Sequence, residues 1–240
     1  MPIYNNKEYI KLMRPIPNDW PVDVEGIPFV RKSIIDITNL NNGKWMINIS
    51  NASESDKNAY RKLIHCFKEN NELNRFYNNP FMFLSKIGPY YSLSTLDYGM
   101  HPGMKRAQII EATFKNRWSG VWQQMNGKDK VAVTVGWVFK DTYDICFAGI
   151  EDGTLLIIST LGVCNDFSKD DFLNGYYEMR RRFPTSKIIC IGNKIEGMDE
   201  DVCYIKYRQS FGNWDKYRNY WQPSMFNWNG MEVDESVIKG

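Results

Sequence analysis

The sequence predicts an α/β fold: a single domain whose mostly parallel sheet of about five strands is flanked by helices. Residues 131–135, 155–158 and 187–191 are short apolar runs, rich in β-branched residues, which are typical of parallel strands buried on both faces. A long helical segment, 104–125, precedes the first of these runs, as a crossover between parallel strands requires. An open sheet and a partial or distorted barrel share this alternation, so the sequence does not distinguish the two architectures.

The chain is predicted to begin with an extended arm and then to alternate strands and helices. Five prolines in residues 1–31 fix backbone angles and remove amide donors, so a long helix does not fit there. The predicted strands are 33–37 at an edge, 44–49, 91–96, 131–135, 155–158, 187–191 and 202–206. The predicted helices are 56–69, 80–86, 104–125 and 167–182. We therefore predict an α/β domain over residues 1–207 and an aromatic-rich C-terminal segment over 208–240, packed on the same domain.

Composition indicates an ordinary soluble protein. Of the 240 residues, 43% are hydrophobic and 24% are charged. A formal net charge of +2 is too small to draw the whole molecule to nucleic acid, so such a contact would need a local patch. The five cysteines form no C-x-x-C pair, and neither a signal peptide nor a membrane-length apolar run is present. These features predict a reduced, cytoplasmic protein that does not contact a membrane.

A binding site is expected at the carboxyl ends of the predicted strands, because ligands of parallel sheets bind outside those ends. One carboxylate, several amides and hydroxyls and an aromatic ring follow the strands there. Such a set suits a hydrogen-bonded polar ligand, for example a nucleobase or a sugar. The residues that follow the strands are Asn48, Asp97, Trp137, Ser159, Thr160 and Asn193.

As a catalytic set this group is incomplete. The sequence offers no second carboxylate for acid–base work and no evident histidine–carboxylate pair to activate a nucleophile. Asp97 is the candidate catalytic carboxylate, and His101, four residues later, is the histidine that could pair with it. Metal-ligand spacing, a Walker loop and a G-x-G-x-x-G motif are all absent from the sequence, so we predict no metal and no cofactor.

The C-terminal segment offers a second candidate surface. Residues 204–228 contain nine aromatic residues interleaved with cations. Rings beside cations suit single-stranded nucleic acid or a groove on a partner protein, although the same rings would also anchor the segment on the sheet or its helices. The candidate partner or nucleic-acid residues are Arg208, Trp214, Lys216 and Trp221.

Several short motifs recur in a fixed order along the middle of the chain. They are Asn79-Pro80, Asp97-Tyr98, Lys115-Asn116-Arg117, Trp122-Gln123, Trp137, Phe147-Ala148-Gly149-Ile150, and Ser159 with Gly162. In these motifs, over about residues 79–193, the chain resembles domain-of-unknown-function family 4417, which occurs in bacteria, plasmids and phages. The resemblance implies a phage or mobile-element setting and a polar site around Asp97 and Arg117, with Asn116 as a further candidate ligand-binding residue.

The chain departs from the family pattern beside this site. Leu96 stands where proline is usual before the aspartate, Gly99 replaces a serine, and Gly136 replaces an arginine before Trp137. If the lost polar side chains carry chemistry in relatives, this member binds a ligand without transforming it.

We therefore expect a phage or mobile-element accessory protein, in the cytoplasm of a bacterial host cell. It would bind a nucleotide, a nucleic acid or a host protein through the strand-end crevice. Asp97 would accept hydrogen bonds from a base or sugar, Arg117 would reach a phosphate or pair with Asp97, and Trp137 would stack on the ligand. One alternative is an enzyme acting on a nucleobase or glycosidic bond with Asp97 as catalytic carboxylate. Another is a partner-binding or inhibitory protein that uses the aromatic C-terminal segment. The substrate, the partner and the oligomeric state stay open.

Overall fold

Seven short parallel strands lie side by side in the computed structural model, which describes residues 7–37, 46–163, 166–207 and 210. Their order across the sheet is their order along the chain, so every crossover moves one strand in the same direction. This is the connectivity of a barrel, and the sheet curls into a half-barrel. The strands are β1 (Met46–Asn48), β2 (Leu63–His65), β3 (Ser92–Ser94), β4 (Val131–Thr134), β5 (Leu156–Ser159), β6 (Ile188–Ile191) and β7 (Cys203–Ile205).

Six α-helices flank the sheet in the part of the chain that the structure describes. Asn79 caps one of them by accepting a hydrogen bond from the Met82 amide, and Pro80 occupies its first turn, where no amide donor is needed. The helices are α1 (Lys7–Met13), α2 (Asn70–Asn78), α3 (Pro80–Ile87), α4 (Arg106–Met125), α5 (Tyr143–Cys146) and α6 (Asp166–Arg182).

Alternate side chains of each strand enter different cores, because successive residues of a strand point to opposite faces. Val133 and Leu156 are buried in a core that includes Met179 of α6. Ile157 and Ile189 are buried in a separate core on the other face of the sheet. Burial on both faces explains why these strands read as unbroken apolar runs in the sequence.

Helix α4 packs unusually close to the sheet. A Cβ atom placed at Gly120 would lie 2.8 Å from Thr95 Cγ2 and 2.9 Å from Val30 Cγ2, so a larger residue would push the helix outward. Asn116 and Arg117 precede Gly120 by four and three residues and therefore share its face of the helix. This close approach brings both side chains under the carboxyl ends of β3 and β4.

The N-terminal arm is attached to the body by specific contacts. Trp20 Nε1 donates a hydrogen bond to the Phe29 carbonyl at 2.7 Å. The guanidinium of Arg14 lies 3.7 Å from the centre of the Tyr77 ring and donates to the Tyr77 carbonyl at 2.8 Å. Helix α1, at the start of this arm, was not among the predicted elements.

The predicted fold class is confirmed. Of the two predicted architectures, an open sheet and a partial barrel, the curled sheet is the partial barrel. Seven strands occur in the described residues, where about five were expected. The predicted helix over 56–69 is wrong, because this stretch forms a 3₁₀ turn and β2. Residues 33–37 form no strand; instead Ser33 Oγ donates to the Val131 carbonyl at 2.9 Å.

The predicted C-terminal segment, 208–240, lies outside the described residues apart from residue 210. Its candidate residues Arg208, Trp214, Lys216 and Trp221 therefore remain predictions.

Candidate functional site

The carboxyl ends of β3 and β4 are joined by side chains where the regular ladder stops. The Thr134 amide donates a hydrogen bond to Thr95 Oγ1 at 2.9 Å, in place of a backbone carbonyl of the neighbouring strand. The two threonine hydroxyls are also 2.9 Å apart. Both residues are fully buried, so this pair fixes the spacing of the two strand ends from inside the fold.

Asn116 connects helix α4 to this threonine pair. Its Nδ2 donates to Thr134 Oγ1 at 2.7 Å and to the Thr134 carbonyl at 3.2 Å. Its Oδ1 accepts a hydrogen bond from Nη1 of Arg117. Every polar atom of the Asn116 side chain therefore has a partner within the protein.

Arg117 is buried behind the strand ends, with 2% of its surface exposed. Its Nε donates to the Ala148 carbonyl at 2.8 Å, its Nη2 to the Cys146 carbonyl at 2.8 Å, and its Nη1 to the Thr134 carbonyl at 3.2 Å. Burial lowers the pKa of Arg117 to about 10, against the raising influence of Cys146 and Asp97. The guanidinium thus stays charged near neutral pH and ties the loop after β4 to helix α4.

Asp97 lies three residues beyond the end of β3 and is half-buried. Burial raises the pKa of its carboxyl to about 7, and the nearby charge of Arg117 opposes the rise. No ion pair within 4.0 Å joins Asp97 to Arg117, and no hydrogen bond reaches the Asp97 side chain from the part of the chain that the structure describes. Because the side chain is only half-buried, solvent supplies the hydrogen bonds of its carboxyl group in the free protein.

Trp137, after β4, is half-buried and packs against the helical layer. Its ring centre lies 5.0 Å from that of Phe172 and 6.0 Å from that of Phe147. Gly175 of α6 lies against the indole so closely that a Cβ atom there would overlap the ring. One side of Trp137 is therefore in contact with protein, which leaves only its remaining surface for a ligand.

The other predicted strand-end residues use their hydrogen-bond donors within the protein. Ser159 Oγ donates to the Ile191 carbonyl at 3.0 Å, and Thr160 Oγ1 donates to the Asn193 carbonyl at 2.8 Å. Asn48, fully buried, donates from Nδ2 to the Phe67 carbonyl at 3.1 Å. The Asn193 side chain is exposed. Ser159 Oγ also accepts a hydrogen bond from the Leu161 amide at 3.1 Å, so this hydroxyl is engaged within the fold as donor and acceptor.

His101 is exposed on the turn that leads into α4, and its ring does not hydrogen-bond to Asp97. Its Nε2 instead lies beside Gly99, 3.3 Å from the position that a Cβ atom would occupy there. Asp97 and His101 therefore do not form the acid–base pair that their spacing in the sequence suggested.

The basic triplet at the end of α6 is paired with acidic residues. Arg180 bonds to Asp199 and Asp201, and both Arg181 and Arg182 bond to Glu178. The charge of the triplet is therefore largely neutralised by neighbouring carboxylates. No helix in the described residues is long and apolar enough to cross a membrane, and no cluster of three metal-ligating side chains occurs among them.

A family model described as Domain of unknown function (DUF4417) matches residues 26–210. The chain belongs to this family. The matched range contains all seven strands, the threonine pair and both charged residues of the site, so the DUF4417 domain is the half-barrel itself.

Relatives of this DUF4417 chain occur in phages. The "Gene 1 protein" of Mycobacterium phage L5 is 23% identical over 158 residues, which are 65% of this chain and 68% of that protein. The "Gene 1 protein" of Mycobacterium phage D29 is 26% identical over 158 residues, which are 65% of this chain and 57% of that protein. The similarity to the D29 protein therefore spans little more than half of its length. No solved structure matches the chain.

Two residues of the site in this DUF4417 chain were not predicted from the sequence. Thr95 and Thr134 look like ordinary strand residues in the runs SLSTLD and VAVTVG. Their signal is a hydroxyl within a buried run at a strand end: Thr95 follows the last residue of β3, and Thr134 is the last residue of β4. The three carbonyls that hold Arg117 have no side-chain signature at all.

Proposed function

We propose that this chain is a phage or mobile-element accessory protein that binds a nucleobase-bearing ligand, with Asp97 as the central contact in the strand-end crevice. The phage origin of two relatives supports the setting. The observation that carries the binding role is the half-buried Asp97 carboxylate, which has no hydrogen-bond partner in the described residues. A ligand that offers donors would replace the solvent hydrogen bonds of this carboxylate with charge-assisted ones.

The position of Asp97 supports a ligand rather than a purely structural acid. It follows β3, one of the inner strands of the sheet, at the edge where parallel sheets bind ligands. The threonine pair and Asn116 hold the neighbouring strand ends in place, so the carboxyl group sits on a rigid support. A polar group held rigidly at a strand end is what a preformed ligand site requires.

The base, rather than a phosphate, is the part of the ligand that fits next to Asp97. A phosphate needs exposed cationic or amide donors, and the guanidinium of Arg117 is buried and bonded to three carbonyls. The negative carboxylate of Asp97 would also repel a phosphate. A phosphate group attached to the bound base would therefore lie outside the crevice, in solvent.

Binding is tested by isothermal titration calorimetry with the ribonucleoside monophosphates and with short single-stranded oligonucleotides. We expect at least one of these probes to bind, and we expect Asp97→Ala to weaken that binding tenfold or more. The matched control is Asp141→Ala, because Asp141 is an exposed carboxylate in the connection that follows β4. No binding by any probe, or equal binding by the wild type and Asp97→Ala, would refute the proposal.

A second candidate is an enzyme that acts on a nucleobase or a glycosidic bond, with Asp97 as catalytic carboxylate. The specific observation in its favour is the pKa of Asp97, raised to about 7 by burial, since a general acid or base works best when its pKa is near the ambient pH. In that role Asp97 would take a proton from the attacking water. Mass spectrometry of nucleosides incubated with the protein tests it: turnover that Asp97→Asn abolishes supports catalysis, and unchanged nucleosides exclude it.

A further inference from the structure

We infer that the concave face of the half-barrel is a docking surface for the chain's own C-terminal segment, residues 211–228, which completes the inner core. These residues lie outside the part of the chain that the structure describes. Two features of the described residues point to them: a buried sheet face that needs a cover, and the place to which the chain leads after β7. This role is separate from ligand binding in the crevice and has its own tests.

The concave face is apolar and buried. Ile157, Ile189 and Ile205 belong to the inner core on this face, and solvent hardly reaches them. The α-helices pack on the opposite, convex face, as they do around a barrel, and none of their described residues belongs to the inner core. Because a sheet face is buried only beneath another layer of protein, a further segment has to cover this one.

The described residues that flank the inner core come mainly from the two rims of the face. At the amino ends of the strands, Ile35 of the N-terminal arm enters this core, and the neighbouring Asp36 amide donates a hydrogen bond to Tyr91 Oη at 3.1 Å. Beyond the carboxyl ends, Phe67 and Leu161 pack against the same core. The middle of the face is left for the chain that follows β7.

The chain that follows β7 crosses the mouth of the half-barrel. Ser210 is fully buried, and its carbonyl accepts a hydrogen bond from His65 Nε2 at 2.8 Å. His65 shares the inner face of β2 with Leu63, two residues earlier. Along the sheet, β7 and β2 are five strand positions apart, which is roughly 24 Å. The five residues that follow Ile205 span at most about 18 Å, so they take the shorter path across the concave side.

Two further contacts fix this path on the concave side. Tyr207 packs against the inner core, and the Ser210 amide donates to the Lys206 carbonyl at 3.2 Å, so the chain turns here rather than running straight. The turn shortens the distance that these residues can span. Residue 211 therefore starts beside β2, with the whole concave face between it and β7.

The residues after Ser210 have the composition of a core layer. Seven of the residues in 211–228 are aromatic, and three are charged. A buried ring removes about 150–250 Å² from water. The concave face measures only roughly 30 Å by 10 Å, since the strands are about 4.8 Å apart and three or four residues long. An extended chain of this length reaches about 60 Å, so it can cross the face and return.

A separate protein is the competing occupant of this face. Binding such a partner costs translational and rotational freedom, whereas a covalently attached segment has already lost it. The bond between His65 and Ser210 also brings the chain's own segment to the face. The attached segment is therefore the favoured cover.

Photocrosslinking tests where the segment lies. Benzoylphenylalanine replaces Phe67, which packs against the inner core, or, as the matched control, Phe81, a partly buried phenylalanine of α3 on the convex side. Mass spectrometry then locates the cross-links in the monomeric product. We expect the probe at position 67 to join residues 211–228 of the same chain and the probe at position 81 to leave them free.

Hydroxyl-radical footprinting of the unmodified protein tests whether the rings are covered, and it does not depend on the folding of a variant. We expect Trp214 and Trp221 to be modified about tenfold more slowly in the folded chain than in urea. Trp118, which is fully buried, is the reference for a protected ring, and the exposed Tyr177 is the reference for an accessible one.

Three outcomes would overturn the inference. Rings modified as fast in the folded chain as in urea would show that the segment covers nothing and is free for a partner. Cross-links from position 67 that join two copies of the chain would show that a second molecule supplies the cover. Protected rings that cross-link from position 81, and not from position 67, would place the segment on the convex side.

Discussion

Thr95 Oγ1 accepts a hydrogen bond from the Thr134 amide at 2.9 Å and so takes the place of a backbone acceptor between β3 and β4. The two strands separate at this point, and the side chain continues the contact that the backbone no longer makes. Asn116 and Arg117 of α4 bond to the same residue, Thr134. A buried polar network therefore holds the strand ends near Asp97, in addition to apolar packing.

Thr134→Val tests the contribution of this network to stability. The substitution conserves shape but removes the acceptor of Asn116 and the partner of Thr95, so we expect a loss of about 1–3 kcal/mol in the free energy of unfolding. Thr113→Val is the matched control, because Thr113 is fully buried and its hydroxyl has no hydrogen-bond partner in the described residues. That variant should be neutral or stabilising in urea denaturation. Equal effects of the two variants would contradict a role for the network.

Arg117→Met tests the buried guanidinium. The change leaves the carbonyls of Cys146 and Ala148 without donors and removes the cation near Asp97, so we expect a loss of about 3–5 kcal/mol in chemical denaturation. The pKa of Asp97 should rise from about 7 to a higher value, which carbon NMR of the carboxyl group would measure. Arg181→Met, in which an exposed arginine loses its pairing with Glu178, should change stability far less. An unchanged Asp97 titration would show that Arg117 does not act on the carboxyl.

The pH dependence of stability should carry the signature of Asp97. Its pKa is raised to about 7 in the folded chain, against about 3.9 for an ordinary aspartate, so the folded state holds the proton more tightly than the unfolded chain. The stability that this group contributes is present below pH 4 and is lost as the pH rises through 7. We expect Asp97→Asn and the wild type to be similar near pH 4, and the variant to be more stable at pH 8 by about 2–4 kcal/mol.

The wild type must be compared with Asp97→Asn because the titration of His65 changes stability with pH in the opposite direction. Burial lowers the pKa of His65 to about 4, so its contribution is present above pH 6.5 and is lost as the pH falls toward 4. His65 is common to the wild type and Asp97→Asn, and its effect cancels in their difference. A difference that does not change between pH 4 and pH 8 would contradict the raised pKa of Asp97.

Gly175→Ala tests the packing of Trp137. Alanine is favoured over glycine in a helix by about 1 kcal/mol, yet its Cβ atom would overlap the indole ring. We expect a net loss of about 1–3 kcal/mol because overpacking outweighs the helix propensity. In a Trp137→Leu background the same substitution should cost less, which a double-mutant cycle in urea would measure. Additive effects would show that the two residues do not constrain each other.

The sequence determined the fold class through its pattern of apolar runs. Residues 131–135 and 187–191 are short, apolar and β-branched, and the structure places β4 and β6 within them. The long helix over 104–125 was also evident, since its ends are defined by glycine and proline. Such features depend on local chemistry and burial alone, so they can be recognised without a tertiary structure.

The tertiary structure decided what local pattern could not. Strand β2 has only three residues, and apolar residues in and around it recur at helical spacing (Tyr60, Ile64 and Phe67). Only pairing with β1 and β3 makes Leu63–His65 a strand. Asp97 could be placed at a strand end from the sequence, but its missing partner and raised pKa depend on groups distant along the chain. Arg117 is the clearest case: the carbonyls of Thr134, Cys146 and Ala148 hold it, and a backbone carbonyl leaves no trace in the residue types of a sequence.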